Sequence, residues 1–339
     1  MAARRGFVTA GTWCVDHNKL IAAWPAEDTA SEVLAIDRQG GGSACNLAID
    51  MKRLDPAVRV ETIGLIGDDE NGRFLAAQCD AHGIGRGQMR VVAGEATFSV
   101  DAFTVANGKR THLFYPGVAK RLSPDDFDFS KTPARILHLG LPGAHRIMDA
   151  PWRAEANGWV AALKAARGSG LQTNLELMTI APERLIALAR PCLPHLDYLI
   201  VNDFEIGAAT GVETRAEGRT DVAAVRRAIE AALRSGPMRV VAAHFPEGAL
   251  AGAREGGLVA LGSLAMPKEE VVGANGAGDA FAAGLLYGLH QGWDLRGALA
   301  LGHCAAAASM RAISTTAGVG SWRECLALGE RWGFRDAPE

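Results

Sequence analysis

Short apolar stretches alternate along this chain with longer segments in which apolar residues recur at helical spacing. The apolar stretches predict buried strands at residues 7–11, 58–67, 136–140, 171–174, 198–202, 240–243, 258–266 and 271–272. Helical spacing predicts helices after Ser43, Asp69, Pro182 and Ser321, and at residues 154–167, 222–233, 280–290 and 295–310. Strands that alternate with helices are typical of an α/β fold, in which helices cover both faces of a mostly parallel sheet.

Two segments interrupt this alternation. Residues 12–39 show no helical period, and residues 97–115 read as two strands joined at Asn107-Gly108, a strong hairpin signal. We interpret both segments as a small β-sheet lid on the α/β core. The predicted domain division is residues 1–12, 40–93 and 119–339 for the core, and residues 13–39 and 94–118 for the lid.

The stretch from Val271 to Phe281 combines the predicted end of a strand, four small residues and the start of a helix. Such a junction points unpaired N–H groups and the positive end of the helix dipole at one spot, which favours a bound anion. Glycines at 276 and 278 allow a phosphate to approach the backbone closely.

Asp279 lies within this predicted anion site. A carboxylate in the first turn of a helix can serve as a cap or interact with the helix dipole. A carboxylate beside a phosphate can also accept the proton of a hydroxyl that attacks that phosphate. Local sequence leaves capping and catalysis about equally supported.

Composition limits the kinds of partner that we expect this protein to bind. The chain has 339 residues, a formal net charge of −3 and no basic stripe, so we do not expect it to bind nucleic acid. No apolar run approaches the roughly 20 residues of a membrane span, so no membrane partner is expected either. Six scattered cysteines without a C-x-x-C pair are typical of buried fillers in a reducing compartment, and a cytoplasmic location is expected.

Several polar residues lie near predicted strand ends or glycine turns. Asp16 follows the first strand, where α/β folds bind ligands, although it could also be a turn residue. Asn46 follows the glycines at 40–42, and either a ligand or a local backbone bond would explain it. Asn202 and Glu205 have the spacing of a helix cap with its third-position glutamate.

Five motifs in register resemble those of the ribokinase-like (PfkB) carbohydrate kinases. Gly41 to Ala48 resembles G-G-x-x-x-N-x-A, and Gly64 to Gly72 is similar to G-x-x-G-D-D-x-x-G. Pro116 to Pro124 resembles the segment that returns from the lid. Asn202-x-x-Glu205 and Gly276-Ala277-Gly278-Asp279 resemble N-x-x-E and G-A-G-D. The resemblance spans about residues 5 to 320.

This resemblance implies a ribokinase-like three-layer α/β/α domain with a mostly parallel central sheet and a small β-sheet lid. It implies an ATP- and Mg²⁺-dependent kinase that phosphorylates a hydroxymethyl group of a small sugar, and it leaves activation by a monovalent cation open. A nucleoside kinase of the same fold is one alternative. A sugar- or nucleotide-binding protein with reduced catalysis is another. The resemblance also implies a homodimer formed through the lid.

The resemblance assigns roles residue by residue. It makes Asp279 the general base and the N–H groups of Gly276, Ala277 and Gly278 the anion hole. Asn202 and Glu205 would organise magnesium, through water. The implied sugar-binding residues are Asp16, Gly41, Gly42 and Asn46, and the implied nucleotide-binding residues are Asn174, Asn202, Glu205, Gly248, Asn275 and His303.

Three positions depart from the family pattern. Gly273-Ala274 stands where the family usually has Asp-Thr, and His244 falls in a replaced T-L-G segment. Glu176 places an acid where an arginine often lies near the phosphates. We therefore expect altered contacts to the nucleotide, with the general base and the anion hole retained.

Overall fold

A nine-stranded sheet forms the centre of the computed structural model, which describes residues 4–105 and 110–339. The strands are β1 (Phe7–Gly11), β2 (Cys14–Ile21), β3 (Val33–Gly41), β4 (Val60–Gly67), β5 (Gly85–Val92), β6 (Ser99–Thr104), β7 (Arg110–Tyr115), β8 (Ile136–Gly140), β9 (Gln172–Leu175), β10 (Tyr198–Asn202), β11 (Arg215–Ala216), β12 (Arg219–Thr220), β13 (Val240–Phe245), β14 (Gly248–Ala253) and β15 (Gly257–Gly262). The large sheet has the order β15-β14-β13-β10-β9-β8-β1-β4-β5. Every pair from β13 to β5 is parallel, and β14 and β15 add antiparallel pairs at one edge.

Helices cover both faces of this sheet. They are α1 (Ser43–Leu54), α2 (Glu70–His82), α3 (Gly158–Gly168), α4 (Pro182–Ala189), α5 (Asp203–Thr210), α6 (Val222–Ser235), α7 (Ala277–His290), α8 (Leu295–Ser309) and α9 (Trp322–Trp332). One apolar core joins the sheet to α1, α2, α7, α8 and α9, and a second joins it to α3, α4, α5 and α6. The expected three-layer α/β/α fold is confirmed.

Neighbouring residues of the central strands enter opposite cores, because successive side chains of a strand point to opposite faces. In β1, Phe7 lies in the first core and Val8 in the second. In β8, Ile136 and Leu137 divide in the same way. These strands are therefore apolar without alternation, which made them easy to predict.

A smaller four-stranded sheet, which we call the lid sheet, has the order β3-β2-β6-β7. It consists of the two segments that interrupt the α/β alternation. The predicted Asn107-Gly108 turn lies outside the described residues. Whether this sheet moves as a lid stays a prediction.

The predicted strand at Val271-Val272 is wrong. These side chains are 40% and 54% exposed, and the segment runs as irregular backbone into α7. The backbone N–H of Val272 donates to the carbonyl of Met310 at 2.9 Å and not to a strand neighbour. Two β-branched residues alone are too short a signal to distinguish a strand from an extended loop.

Strands β5 and β14 were not predicted. β5 forms an edge of the large sheet, and five of its eight residues are exposed. β14 has the sequence Gly-Ala-Leu-Ala-Gly-Ala, whose small residues resemble a loop. The predicted helix at 154–167 begins four residues later, where Asn157 caps α3 by accepting from the N–H of Val160.

All six cysteines are buried and unpaired, as expected for apolar fillers. Within residues 4–105 and 110–339, no helix has both the length and the apolar character needed to cross a membrane.

Candidate active site

The amino end of α7 is shaped by a left-handed glycine. Gly276 has φ 78°, and a Cβ there would lie 2.4 Å from the carbonyl oxygen of Thr315. Glycine is therefore required both by conformation and by space. α7 begins at the next residue, and the first N–H groups of a helix lack partners within the helix. This is the geometry that an anion site requires, and whether these N–H groups bind an anion stays a prediction.

Two cavities lie on either side of this helix start. The lid-side cavity, of about 300 Å³, lies beneath the lid sheet and is lined by Asp16, Asn46, Glu176 and Asp279 together with apolar side chains. The distal cavity, of about 570 Å³, is lined by residues of β13, α7 and α8. Asn275 and Asp279 border the first, whereas Ala274, Ala277 and Gly278 border the second. One turn of chain therefore separates two ligand-sized spaces.

The carboxyl group of Asp279 faces side chains across the lid-side cavity. Asn46 Nδ2 donates to Asp279 Oδ2 at 2.7 Å, and Thr315 Oγ1 donates to Asn46 Oδ1 at 3.2 Å. The carboxyl group of Glu176 lines the same cavity, and its charge acts on that of Asp279. The side chain of Asp279 therefore faces the cavity, and its role as general base stays a prediction.

A second set of contacts holds Glu176. His138 Nε2 lies 2.8 Å from Glu176 Oε2, and Asn174 Nδ2 lies 2.9 Å from His138 Nδ1. With the Asn174 amide in this orientation, Nδ1 of His138 accepts and the ring proton is on Nε2, an atom that makes no hydrogen bond of good geometry. His138 and Asn174 are paired in register on β8 and β9.

Burial and like charge dominate the electrostatics of this carboxyl pair. Burial raises the pKa of Asp279 well above its usual value, and the neighbouring Glu176 raises it further. Burial raises the pKa of Glu176 to about 8. Burial lowers the pKa of His138 to about 4, so its imidazole is neutral at pH 7. The pair therefore does not ionise fully at neutral pH.

Asp16, on β2, also lines the lid-side cavity. Burial raises the pKa of Asp16 to about 6. The Cys14 thiol donates to Asp16 Oδ1 at 3.4 Å. Gly41 is packed against this carboxyl group, since a Cβ there would lie 2.3 Å from Asp16 Oδ2. The carboxyl group is available to hydroxyl groups of a ligand above pH 6.

Asn202 and Glu205 form a complete capping box at the start of α5. Asn202 Oδ1 accepts from the N–H of Glu205 at 2.8 Å, and Glu205 Oε2 accepts from the N–H of Asn202 at 3.1 Å. Thr179 Oγ1 donates to Glu205 Oε1 at 3.0 Å. Burial raises the pKa of Glu205 to about 7. Because their polar atoms are largely committed to these bonds, they could hold a magnesium ion only through its own water, which Mg²⁺ usually keeps, and that role stays a prediction.

No group of three or more His, Cys, Asp or Glu side chains within the described ranges is arranged to enclose a metal ion.

The distal cavity has an aromatic wall. His244 and His303 both contact the ring of Phe281, with ring centroids 5.0 and 5.1 Å from it. Burial lowers the pKa of both histidines to about 4, so both rings are neutral at pH 7. Arg215 and Arg335 also line this cavity. An apolar slot with cationic groups around it suits a planar group that carries phosphates.

The structure brings together most of the predicted site residues. Asp16, Gly42, Asn46, Asn275 and Asp279 line the lid-side cavity, and Ala277, Gly278, Asn202 and His303 line the distal cavity. Asn174 is fully buried and lines neither, so any role it has must act through His138. Gly248 is buried at the start of β14 and also lines neither cavity.

Sequence reasoning did not assign His138, Glu176, Phe98, Phe114 or Arg335 to a site. Glu176 was visible only as a departure from the family pattern. His138 could have been found from its position near the end of a predicted parallel strand, where ligands bind.

Comparisons with known proteins agree with this geometry. The model of the pfkB family of carbohydrate kinases matches residues 12–321. A 5-dehydro-2-deoxygluconokinase of Shouchella clausii (strain KSM-K16) is 26% identical over 337 residues, covering 95% of this chain and 95% of the relative.

Two solved structures share the fold. Arabidopsis thaliana ribokinase complexed with ribose and ATP has a TM-score of 0.78 at 19% identity, covering 96% of this chain and 98% of that one. The Burkholderia thailandensis nucleoside kinase in complex with inosine has a TM-score of 0.72 at 18% identity, covering 97% and 98%. Since the family model spans most of the chain, from the first strand's end to the last helix, this enzyme belongs to the pfkB family of carbohydrate kinases.

Proposed function

We propose that this protein transfers the γ-phosphoryl group of ATP to a hydroxymethyl group of a small sugar. The observation that carries the proposal is the position of the α7 start between two cavities, with Asp279 facing one and Gly278 the other. An acceptor in the lid-side cavity and a donor in the distal cavity would meet there. In-line phosphoryl transfer needs such positioning more than it needs covalent chemistry.

In this reaction Asp279 accepts the proton of the attacking hydroxyl. The hydroxyl oxygen bonds to the γ-phosphorus, and the bond between that phosphorus and the bridging oxygen of the β-phosphate breaks. The N–H groups of Gly276, Ala277 and Gly278 stabilise the charge on the transferred group, since preorganised donors in a dry site are effective there. Asp16 and Asn46 orient the acceptor by hydrogen bonds.

The nucleotide would occupy the distal cavity. Its apolar wall of Phe281 and two neutral histidines suits an adenine ring, with His303 beside it. Asn202 and Glu205 would hold Mg²⁺ through water, and the ion would neutralise charge on the phosphates. Asn275, next to the helix start, would contact the transferred group. Activation by a monovalent cation belongs to the same proposal and is tested by replacing potassium with a bulky organic cation.

A nucleoside is the second candidate acceptor. Phe98, Val100, Phe114 and Met178 give the lid-side cavity an apolar wall beside its polar groups. The rings of Phe98 and Phe114 are 5.8 Å apart, which would let a planar base pack against an aromatic surface. A free sugar, whose apolar C–H face is smaller, would cover less of this wall. The Burkholderia relative in complex with inosine supports this candidate.

The acceptor is a small molecule in either case. Two further expectations complete the proposal. The protein acts in the cytoplasm, where its buried unpaired cysteines stay reduced. It forms a homodimer through the lid sheet, whose outer face carries Leu34, Ile36, Leu113 and Tyr115, all more than half exposed.

An ADP-release screen against pentoses, ketohexoses, sugar phosphates and nucleosides tests the proposed function. We expect turnover with one class, and the size of the best acceptor distinguishes sugar from nucleoside. Thermal shifts with some ligands but turnover with none would instead favour a binding protein with reduced catalysis.

A further inference from the structure

The segment that follows α9 runs along the end of the large sheet, beside the distal cavity. We call residues 333–339 the strap. Its backbone pairs with the chain just after β15. The N–H of Ala265 donates to the carbonyl of Gly333 at 3.0 Å, and the N–H of Arg335 donates to the carbonyl of Ser263 at 2.8 Å. Two backbone hydrogen bonds therefore hold the strap in a defined register.

Close packing fixes the strap further. Leu264 and Phe334 form an antiparallel bridge between those two hydrogen bonds. A Cβ at Gly262, the last residue of β15, would lie 2.1 Å from the carbonyl oxygen of Arg335, so the strap approaches the sheet more closely than a side chain would allow. A Cβ at Gly329 of α9 would lie 3.3 Å from the ring of Phe334. The strap is thus anchored on the sheet and on α9, and it places Arg335 at the distal cavity.

Arg335 brings an uncommitted positive charge to this cavity. Two arginines line it, Arg215 and Arg335. The guanidinium of Arg215 donates to both carboxylate oxygens of Asp203, at 2.8 and 2.6 Å. The guanidinium of Arg335, in contrast, has no ion pair and no hydrogen bond with any residue of 4–105 or 110–339. An exposed guanidinium without a carboxylate beside it is available to an anionic ligand.

We propose that Arg335 binds the phosphates of the donor nucleotide from the strap. This inference rests on the proposed function, which puts ATP in the distal cavity. Phe281 and the neutral ring of His303 suit the base, so the phosphates are the part of ATP that needs a cation. The planar fork of an arginine matches two phosphate oxygens. The strap lies beyond the residues that the family model matches, 12–321, so this contact is a feature of this chain.

Calorimetry with ATP and Mg²⁺, in the absence of any acceptor, tests the proposal. Arg335→Gln should raise the Kd for ATP roughly tenfold, because it removes a hydrogen bond between charged groups. Arg335→Lys keeps the charge without the fork and should recover most of that loss. In kinetic assays Arg335→Gln should raise the KM for ATP and leave kcat nearly unchanged, since the contact is made both before and during transfer.

Salt dependence distinguishes a contact to phosphate from a contact to the base or the ribose. Raising the salt concentration from about 0.05 to about 0.3 M should weaken ATP binding by the wild type more than by Arg335→Gln, because salt screens exposed charges. Arg323→Gln is the matched control. Arg323 is exposed on α9, lies over the ring of Trp322 at 4.1 Å and lines neither cavity. It changes the net charge equally and should leave the Kd for ATP unchanged.

If Arg335→Gln binds ATP as tightly as the wild type, the inference is overturned and the proposed function stands. If Arg335→Lys is as impaired as Arg335→Gln and the salt dependence is the same in all three proteins, Arg335 does not bind phosphate. ATP binding that depends on Arg335, in a protein that turns over no acceptor, would support the inference and contradict the proposed transfer. A wild-type protein that binds no ATP would overturn both.

Discussion

At the scale of single residues, the site contains buried carboxyl groups, and their burial lowers the stability of the fold. Asp279 lies against a second carboxyl group, and both are largely removed from water. Carboxyl groups in such places are commonly retained for chemistry rather than for stability. Substitutions here should therefore move activity and stability in opposite directions.

Asp279→Asn should lower kcat by roughly 10²–10⁴-fold, because the amide cannot accept the hydroxyl proton. The same variant should raise the Tm. Burial raises the pKa of Asp279 well above its usual value, so wild-type stability falls as pH rises above that usual value, and asparagine removes this dependence. We expect the gain in Tm to be larger at pH 8 than at pH 5, as measured by calorimetry.

Asp294→Asn is the control, since Asp294 caps α8 by accepting from the N–H of Gly297 and lines neither cavity. It should change neither kcat nor Tm appreciably, because Asn caps about as well as Asp. A normal kcat in folded Asp279→Asn would contradict the base assignment.

Asp16 should make acceptor binding dependent on pH. Its pKa is raised to about 6, so the carboxylate that accepts hydrogen bonds from the acceptor is lost as pH falls from 7 to 5. The Kd for the acceptor, measured by calorimetry, should rise over that range, while the Kd for ATP should stay nearly constant. In Asp16→Asn the acceptor Kd should be raised and flat with pH. An equal effect on both ligands would give Asp16 a structural role.

The sequence was sufficient to place Asp279 and Asn46, because each follows a glycine turn at the start of a helix. It was not sufficient for His138 and Glu176. Their contact depends on the register of β8 and β9 and on the approach of α7, and no local pattern encodes these distances. The existence of a buried strand without alternation can be recognised from its sequence. Its neighbours and its register in the sheet are specified less well.

At the scale of elements, local sequence was also insufficient to predict the strands near the edges of the large sheet. The central strands and the starts of six helices (α1, α2, α4, α6, α8 and α9) were predicted within two residues, because burial leaves a strong apolar signal. α3 begins four residues later and α7 three residues earlier than predicted, and α5 was indicated only by the spacing of its cap. β5 and β14 lack that signal, since one is an exposed edge and the other is built of small residues. Helix caps mark the starts of α2, α5 and α9, at Asp69, Asn202 and Ser321. Helical periodicity alone would have located these starts less precisely.

The lid sheet should respond to the acceptor as a unit. Asp16, Val100 and Phe114 lie at directly opposed positions on β2, β6 and β7 and face the lid-side cavity together. We expect amide hydrogen exchange in β2, β3 and β6 to slow several-fold when the acceptor found in the screen is bound, because closure orders these strands. Peptides from α6 serve as the internal control. Unchanged exchange in all three strands would show that the sheet is fixed.

At the scale of the whole molecule, the outer face of the lid sheet is the proposed dimer interface. Ile36 is 67% exposed, in the same row across the sheet as Lys19 and Phe103. Ile36→Lys should convert a dimer to a monomer in sedimentation equilibrium, because it puts two like charges at a symmetric interface. Val91→Lys, on the exposed edge strand β5, is the control and should leave the dimer intact. A wild-type protein that sediments as a monomer would contradict the interface.

The two cavities that meet at the start of α7 also define a target for inhibitor design. A single compound that joined an acceptor analogue to adenosine through a short polyphosphate bridge would span the helix end and occupy both spaces. Once one half is bound, the other engages as an intramolecular event, so overall affinity could exceed that of either half by about 10²–10⁴-fold. The adenosine half would be shared with many kinases. Selectivity would come from the acceptor half, between the polar end at Asp16 and the aromatic wall under the lid sheet.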